Sequence, residues 1–116
     1  MKALQELNLK ENEKEALLEL KERIIEKFPD TEIILYGSKA RGDANEESDI
    51  DVLVLLKEGV NWDLKEEIFS IAFKVELKYD VIFGVAVYQK QFWDSPLGKA
   101  MPLRWNIDRE GIYIES

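Results

Sequence analysis

Two short apolar runs, separated by a polar segment, constrain the fold of this chain more than any other feature. The runs occupy residues 33–36 and 52–56, and each has the length and the branched side chains of a buried strand. The intervening segment opens with Gly-Ser and closes with Asp-Ile-Asp. Because side chains alternate along a strand, Asp49 and Asp51 are expected on one side of the second strand, roughly 7 Å apart. The sequence therefore predicts a tight turn beside a pair of carboxylates.

The opening of this segment has the chemistry of a phosphate site. Gly37 allows a ligand to approach the backbone closely, and Ser38 offers both a hydroxyl and an amide to an anion. Lys39 and Arg41 add two cationic donors. We predict that these four residues bind the phosphate groups of a nucleotide.

The closing Asp-Ile-Asp has the chemistry of a metal site. The chain contains no cysteine and no histidine, so only oxygen ligands are available, and these suit Mg²⁺ or Mn²⁺. A lone Asp-x-Asp is more often a solvated strand end than a ligand pair. Here, however, Asp49 and Asp51 adjoin an apolar strand, where two like charges are costly without a cation. We therefore predict that both carboxylates hold metal for phosphoryl or nucleotidyl transfer.

Length and charge make several classes of function less favourable. A chain of 116 residues is expected to form one domain, with an N-terminal helix in residues 1–30 and a catalytic core in residues 31–116. A net charge of −8 disfavours a nucleic-acid substrate. The N-terminus lacks the apolar core of a signal peptide, and no stretch approaches the ~20 apolar residues of a membrane span. These features predict a cytoplasmic protein that needs no membrane.

Hydrophobic periodicity predicts alternating helices and strands. Leucines and isoleucines at steps of three and four indicate a first helix that ends before Pro29, and a similar pattern indicates a second long helix between the second and third strands. Gly84 suggests a kink or bulge in the third strand, and a fourth strand is not evident. The expected fold is α/β (α+β), a small mixed sheet flanked by helices. The predicted segments are helices over residues 12–28, 64–75 and 103–110, strands over 32–36, 49–56 and 79–88, a short helical turn in 37–42 and a loop over 43–48.

The spacing of Gly37, Ser38, Asp49 and Asp51 resembles that of the DNA polymerase beta-like nucleotidyltransferases, and the short chain resembles the minimal nucleotidyltransferases of prokaryotes. The ending of the chain, residues 109–113, is similar to the closing segment of those proteins. The resemblance implies a mixed sheet flanked by helices, a nucleoside triphosphate such as ATP, and Mg²⁺. It also implies a small all-helical (HEPN-type) protein partner in a toxin–antitoxin pair, and it leaves oligomerisation open.

Members of this superfamily place a third carboxylate on a neighbouring strand, and the chain offers one candidate for it. Asp80, followed by Val81 and Ile82, has suitable surroundings, which makes it a predicted catalytic and metal-binding residue. If the corresponding strand is instead residues 85–88, that position carries no acid. The family also commonly has arginine where this chain has Lys39, a change that keeps the charge but weakens bidentate phosphate contact.

Two functions follow from these features. The first is transfer of a nucleoside monophosphate, AMP from ATP, to a hydroxyl of a protein partner by an antitoxin-like enzyme. The second is a catalytically weak or inactive module with the same fold that neutralises a helical partner by contact. Small-molecule adenylyltransferases of the antibiotic-modifying kind usually need an additional domain, for which 116 residues leave no room.

Overall fold

The computed structural model describes residues 7–43 and 48–115, and it shows four strands and six helices within these ranges. Three of the helices, each of four residues, are only a single turn long. The elements in chain order are α1 (Glu11–Lys27), β1 (Glu32–Tyr36), α2 (Ser38–Arg41), β2 (Ile50–Leu56), α3 (Trp62–Tyr79), β3 (Phe83–Gln89), α4 (Lys90–Trp93), α5 (Pro96–Lys99), α6 (Pro102–Glu110) and β4 (Ile112–Tyr113).

The four strands form one mixed sheet in the order β3-β2-β1-β4. β1 is antiparallel to both of its neighbours, whereas β2 and β3 are parallel and are joined through α3. Tyr36, at the end of β1, pairs with Asp51 near the start of β2. This register brings the Gly-Ser turn that follows β1 against the predicted metal ligands, and it confirms the mixed α/β class.

The two faces of the sheet pack against different helices. Val52 and Val54 belong to the core formed with α1 and α3, while Leu53 and Leu55 belong to a smaller core that includes Trp93 of α4 and Ile107 of α6. Because side chains alternate along β2, Asp51 lies on the same face as Leu53 and Leu55. The face that carries Asp51 is therefore the one covered by α4 and α6.

Side chains and special backbone conformations mark the ends of the two long helices. At the start of α1, the backbone N–H of Lys10 donates to Oε1 of Glu13 at 2.8 Å, and at the start of α3 the side chain of Asn61 accepts from the N–H of Leu64 at 2.8 Å. α3 ends at Asp80, which adopts the left-handed conformation with φ 56° and ψ 52°. Such a residue stops a helix by redirecting the chain.

Three expectations about the strands need correction. β3 begins at Phe83 rather than at residue 79, because α3 continues to Tyr79 and Asp80 then caps it. No bulge occurs at Gly84, since the register with β2 is continuous along β3. A fourth strand exists, β4, which pairs only with β1 and only over two residues.

Two further expectations concern the loop before β2 and the membrane. The predicted loop over residues 43–48 falls largely on residues 44–47, which lie outside the described residues. Among the helices of residues 7–43 and 48–115, none is both long and apolar enough to cross a bilayer.

Candidate active site

Asp51 lies in a slot between two glycines. A Cβ atom added at Gly84 would lie 2.7 Å from Oδ1 of Asp51, and one added at Gly37 would overlap Oδ2. Gly37 also has φ +77°, a backbone conformation that L-residues rarely adopt. The two glycines therefore make room for the carboxylate, and the turn after β1 can lie directly over it only because residue 37 has no side chain.

The surroundings of Asp51 disfavour its negative charge. Burial raises the pKa of this carboxyl, and the charges of Asp49 and Glu110 raise it further, while Arg41 acts in the opposite direction. Burial likewise raises the pKa of Tyr36, with a contribution from the adjacent Asp51. A partly buried carboxylate, Asp51, with an exposed one, Asp49, close enough to disfavour its charge, fits a divalent cation, which would relieve their repulsion. Across residues 7–43 and 48–115 no group of three or more potential ligands is arranged to hold a metal ion, so the fit rests on Asp49 and Asp51.

The turn after β1 forms a single helical turn. The carbonyl of Gly37 accepts from the N–H groups of Ala40 and Arg41 at 3.1 and 3.0 Å, and the N–H of Gly42 donates to the carbonyl of Ser38 at 2.9 Å. Gly42 ends the turn with φ +86°. This helical turn places Ser38, which is half-buried and follows Gly37 directly, beside the slot that contains Asp51.

The two basic residues that are predicted to bind phosphate differ in exposure and in their ion-pair partners. Arg41 has a side chain that is 45% exposed, and its Nη1 lies 3.0 Å from Oε2 of Glu110. Lys39 is buried, and its Nζ lies 2.7 Å from Oε2 of Glu13 on α1. Burial alone would raise the pKa of Glu13, but the hydrogen bonds from Lys39 and Lys10 lower it overall. The assignment of Lys39 to the nucleotide stays a prediction, while the ion pair gives this lysine a structural role.

Asp80 belongs to the turn that ends α3 and not to a strand of the sheet. It caps α3, which packs on the face opposite to Asp51, and its side chain is exposed. Asp80 and Asp49 nevertheless line a common cavity of about 290 Å³. On β3 itself the residue paired with Asp51 is Gly84, so the neighbouring strand offers no carboxylate at that point. The role of Asp80 as a third carboxylate stays a prediction.

Two residues of the site were not identified from the sequence. The sequence suggests a strand irregularity at Gly84, whereas in the structure this glycine provides space for Asp51. Glu110, the last residue of α6, accepts from the N–H of Gly37 at 3.2 Å and from Nη1 of Arg41 at 3.1 Å. Its only sequence signal was the resemblance of residues 109–113 to the closing segment of minimal nucleotidyltransferases.

Comparison with known proteins gives consistent results. Residues 17–100 match a protein family described as a nucleotidyltransferase domain. Two proteins of Methanocaldococcus jannaschii, both named "Putative protein adenylyltransferase", are similar to the chain. The first is 48% identical over 58 residues, which are 50% of this chain and 59% of that protein, or less than two thirds of its length. The second is 33% identical over 88 residues, which are 74% of this chain and 83% of that protein.

A solved structure shares the fold. A chain in a crystal structure of the toxin–antitoxin pair MntA-HpeT superimposes with a TM-score of 0.57 and 20% sequence identity. The superposition covers 94% of this chain and 74% of that chain. At this identity the likeness concerns the fold alone.

Proposed function

Since this chain belongs to the nucleotidyltransferase domain family, we propose that it moves a nucleoside monophosphate from a triphosphate to a hydroxyl group of a protein partner, in a reaction that requires Mg²⁺. The nucleotide is AMP from ATP, and the reaction takes place in the cytoplasm. The observation that carries the proposal is the slot between Gly37 and Gly84, which holds Asp51 against the turn after β1, where the charge of Asp49 also acts on it. The names of both relatives, which describe adenylyl transfer to protein, support it.

In this proposal, one set of residues binds the metal ion and another set binds the phosphate groups. Asp49 and Asp51 would hold Mg²⁺, or Mn²⁺ in its place, and the cation supplies neutralisation of the triphosphate charge. The N–H of Gly37, the hydroxyl of Ser38 and the guanidinium of Arg41 bind phosphate oxygens.

The chemical step needs a group that accepts a proton. The acceptor oxygen forms a bond to the α-phosphorus while the bond to the bridging oxygen of the β-phosphate breaks, and pyrophosphate leaves. The proton of the acceptor hydroxyl passes to a carboxylate. Asp80 remains our candidate for this role, because it lines the same cavity as Asp49.

The partner is proposed to be a small all-helical protein of the HEPN type. Support comes from the structural neighbour, which is part of a toxin–antitoxin pair. In this proposal the chain acts as the antitoxin-like member, and attachment of AMP silences the partner.

Mass spectrometry tests the enzymatic proposal. The protein is incubated with ATP, Mg²⁺ and candidate helical partners, and the expected result is a partner whose mass has increased by one adenosine monophosphate. The matched control is the Asp49→Ala/Asp51→Ala variant, which should transfer nothing. Equal behaviour of the wild type and this variant with every partner would overturn the enzymatic function.

One observation favours the alternative function, a catalytically weak module that neutralises a helical partner by contact. Gly84 stands where β3 could have supplied a carboxylate beside Asp51. Under this alternative, the Asp49→Ala/Asp51→Ala variant would bind the partner and suppress its toxicity as well as the wild type does. Loss of suppression with retained binding would exclude it.

A further inference from the structure

The carboxylate of Glu110 accepts hydrogen bonds from two of the donors that we assign to phosphate. Its Oε1 accepts from the N–H of Gly37 at 3.2 Å, and both of its oxygens lie within 3.1 Å of Nη1 of Arg41. We propose, on the basis of the proposed function, that the carboxylate of Glu110 competes with the phosphates of the nucleotide. A nucleoside triphosphate must displace this carboxylate from Arg41 and Gly37 in order to bind. Glu110 lies beyond residues 17–100, the part of the chain that matches the family.

The backbone brings Glu110 to this position. β4 pairs antiparallel with β1, with Leu35 opposite Ile112, so the residues that follow β1 and precede β4 lie side by side. Continuing this register places Glu110 next to Gly37. Because the contact is made by the side chain and not by the ladder, a change of rotamer can release Arg41 without unpairing β4.

A carboxylate and a phosphate compete for the same donors. Both accept charge-assisted hydrogen bonds from a guanidinium and from backbone N–H groups, with similar geometry. The side chain of Glu110 is only 13% exposed, whereas Arg41 reaches solvent at 45%. The pair is therefore accessible from the side of Arg41, where an incoming anion can take over the guanidinium.

Electrostatic repulsion also favours displacement of Glu110 by the triphosphate over binding of both to Arg41 at the same time. Two acids already pair with Arg41: Oε2 of Glu110 lies 3.0 Å from its Nη1, and Oδ2 of Asp43 lies 3.1 Å from its Nε. A triphosphate adds further negative charge. Glu110 must then give up Arg41, or repel the ligand that Arg41 binds.

The affinity of the wild type and of Glu110→Gln for a non-hydrolysable ATP analogue with Mg²⁺, measured by isothermal titration calorimetry, tests the proposal. Glutamine keeps the shape of the side chain but holds Arg41 less strongly. Because a partly exposed ion pair is weak, the analogue should bind only a few-fold more tightly to the variant, roughly three- to fivefold. Asp108→Asn is the matched control: it removes the same charge from α6 at an exposed residue paired with Arg104, and its affinity should equal that of the wild type.

A second background separates competition from general charge. In Arg41→Ala, Glu110 can compete only for the N–H of Gly37. The further change Glu110→Gln should therefore tighten binding less than it does in the wild type, by less than about twofold. Equal tightening by Asp108→Asn would show a long-range charge effect and overturn the proposal. Unchanged or weaker binding by Glu110→Gln would overturn it too, while leaving the proposed function intact because the wild type still binds. Absence of binding in every variant, including the wild type, would overturn both.

A measurement on the wild type covers the case in which Glu110→Gln does not fold. In a ¹⁵N-¹H correlation spectrum, the analogue should shift the amide signal of Gly37 and the Nε–H signal of Arg41. Binding that leaves both signals in place would overturn the proposal.

Discussion

Gly84 gives the Asp51 carboxylate space that any larger residue would fill. In Gly84→Ala the new methyl group would begin 2.7 Å from Oδ1 of Asp51, so this side chain must move. Because a displacement of about 1 Å can cost about 100-fold in rate, nucleotide transfer should fall by roughly that factor while the fold persists. Transfer rates and circular dichroism measure the two effects.

The control for this substitution is Gly59→Ala, where an added Cβ meets nothing within 4 Å. That variant should keep the wild-type rate. If Gly84→Ala retained full activity, the slot would not determine the position of Asp51.

The raised pKa of Asp51 gives stability a pH dependence. A carboxyl whose pKa is higher in the folded than in the unfolded state ionises first in the unfolded chain, so the folded state loses stability as pH rises above the ordinary aspartate pKa of about 3.9. Asp51→Asn should therefore raise Tm at pH 7 in a metal-free buffer, and this gain should shrink below that pKa. Thermal melts with a chelator present measure it.

Asp30→Asn serves as the control for the pH dependence. Asp30 is exposed and precedes β1, at the end of that strand opposite to Asp51. Its substitution should leave Tm nearly unchanged at both pH values. A stabilisation of equal size would point to the overall negative charge instead.

Part of the site could be predicted from local sequence and part could not. Gly37, Ser38, Asp49 and Asp51 form a motif whose spacing is visible along the chain. The ion pair that Lys39 forms could not be predicted in this way, because its partner, Glu13, lies on a helix more than twenty residues earlier in the chain. Predicting it requires the packing of α1 against the turn.

At the level of elements, the buried ion pair between Lys39 and Glu13 joins α2 to α1. Both side chains are less than 10% exposed. Lys39→Met would leave Glu13 as a buried charge without this partner, and losing one member of a buried pair typically costs 3–5 kcal/mol, so we expect a loss of about 3 kcal/mol in the free energy of unfolding. Urea titration measures it.

The exposed pair between Lys27 and Glu67 is a matched control for this substitution. Lys27→Met removes the same charge, but its side chain is 56% exposed, so the cost should stay below about 1 kcal/mol. Adding Glu13→Gln to Lys39→Met should recover part of the loss. Equal costs for the two lysine variants would mean that the buried pair contributes no more than a surface pair.

The predicted boundaries of helices and strands were wrong where tertiary contacts determine them. Aromatic and branched residues near position 80 favour a strand, yet α3 extends to Tyr79 and ends only at the left-handed Asp80. β4 has two residues, too few to show an alternating pattern, and it exists because it pairs with β1. β1 and β2, by contrast, follow from their own apolar runs.

For the molecule as a whole, ligand binding and stability are linked, and the net charge of −8 means that screening by salt also affects stability. A ligand that binds only the folded state stabilises it, by about 2.7 kcal/mol at 100 times its Kd. For a domain of this size that corresponds to a rise in Tm of about 10 °C, which we expect with Mg²⁺ and a non-hydrolysable ATP analogue together. Differential scanning fluorimetry measures it.

The comparison that makes this result specific is the Asp49→Asn/Asp51→Asn variant at the same ionic strength. Screening of the negative charge by salt raises Tm in both proteins, whereas the effect of Mg²⁺ with the analogue requires the two carboxylates. The variant should therefore show only the salt effect. An equal rise in both proteins would place the ligand away from the slot between Gly37 and Gly84, and would remove the basis for assigning Asp49 and Asp51 to metal.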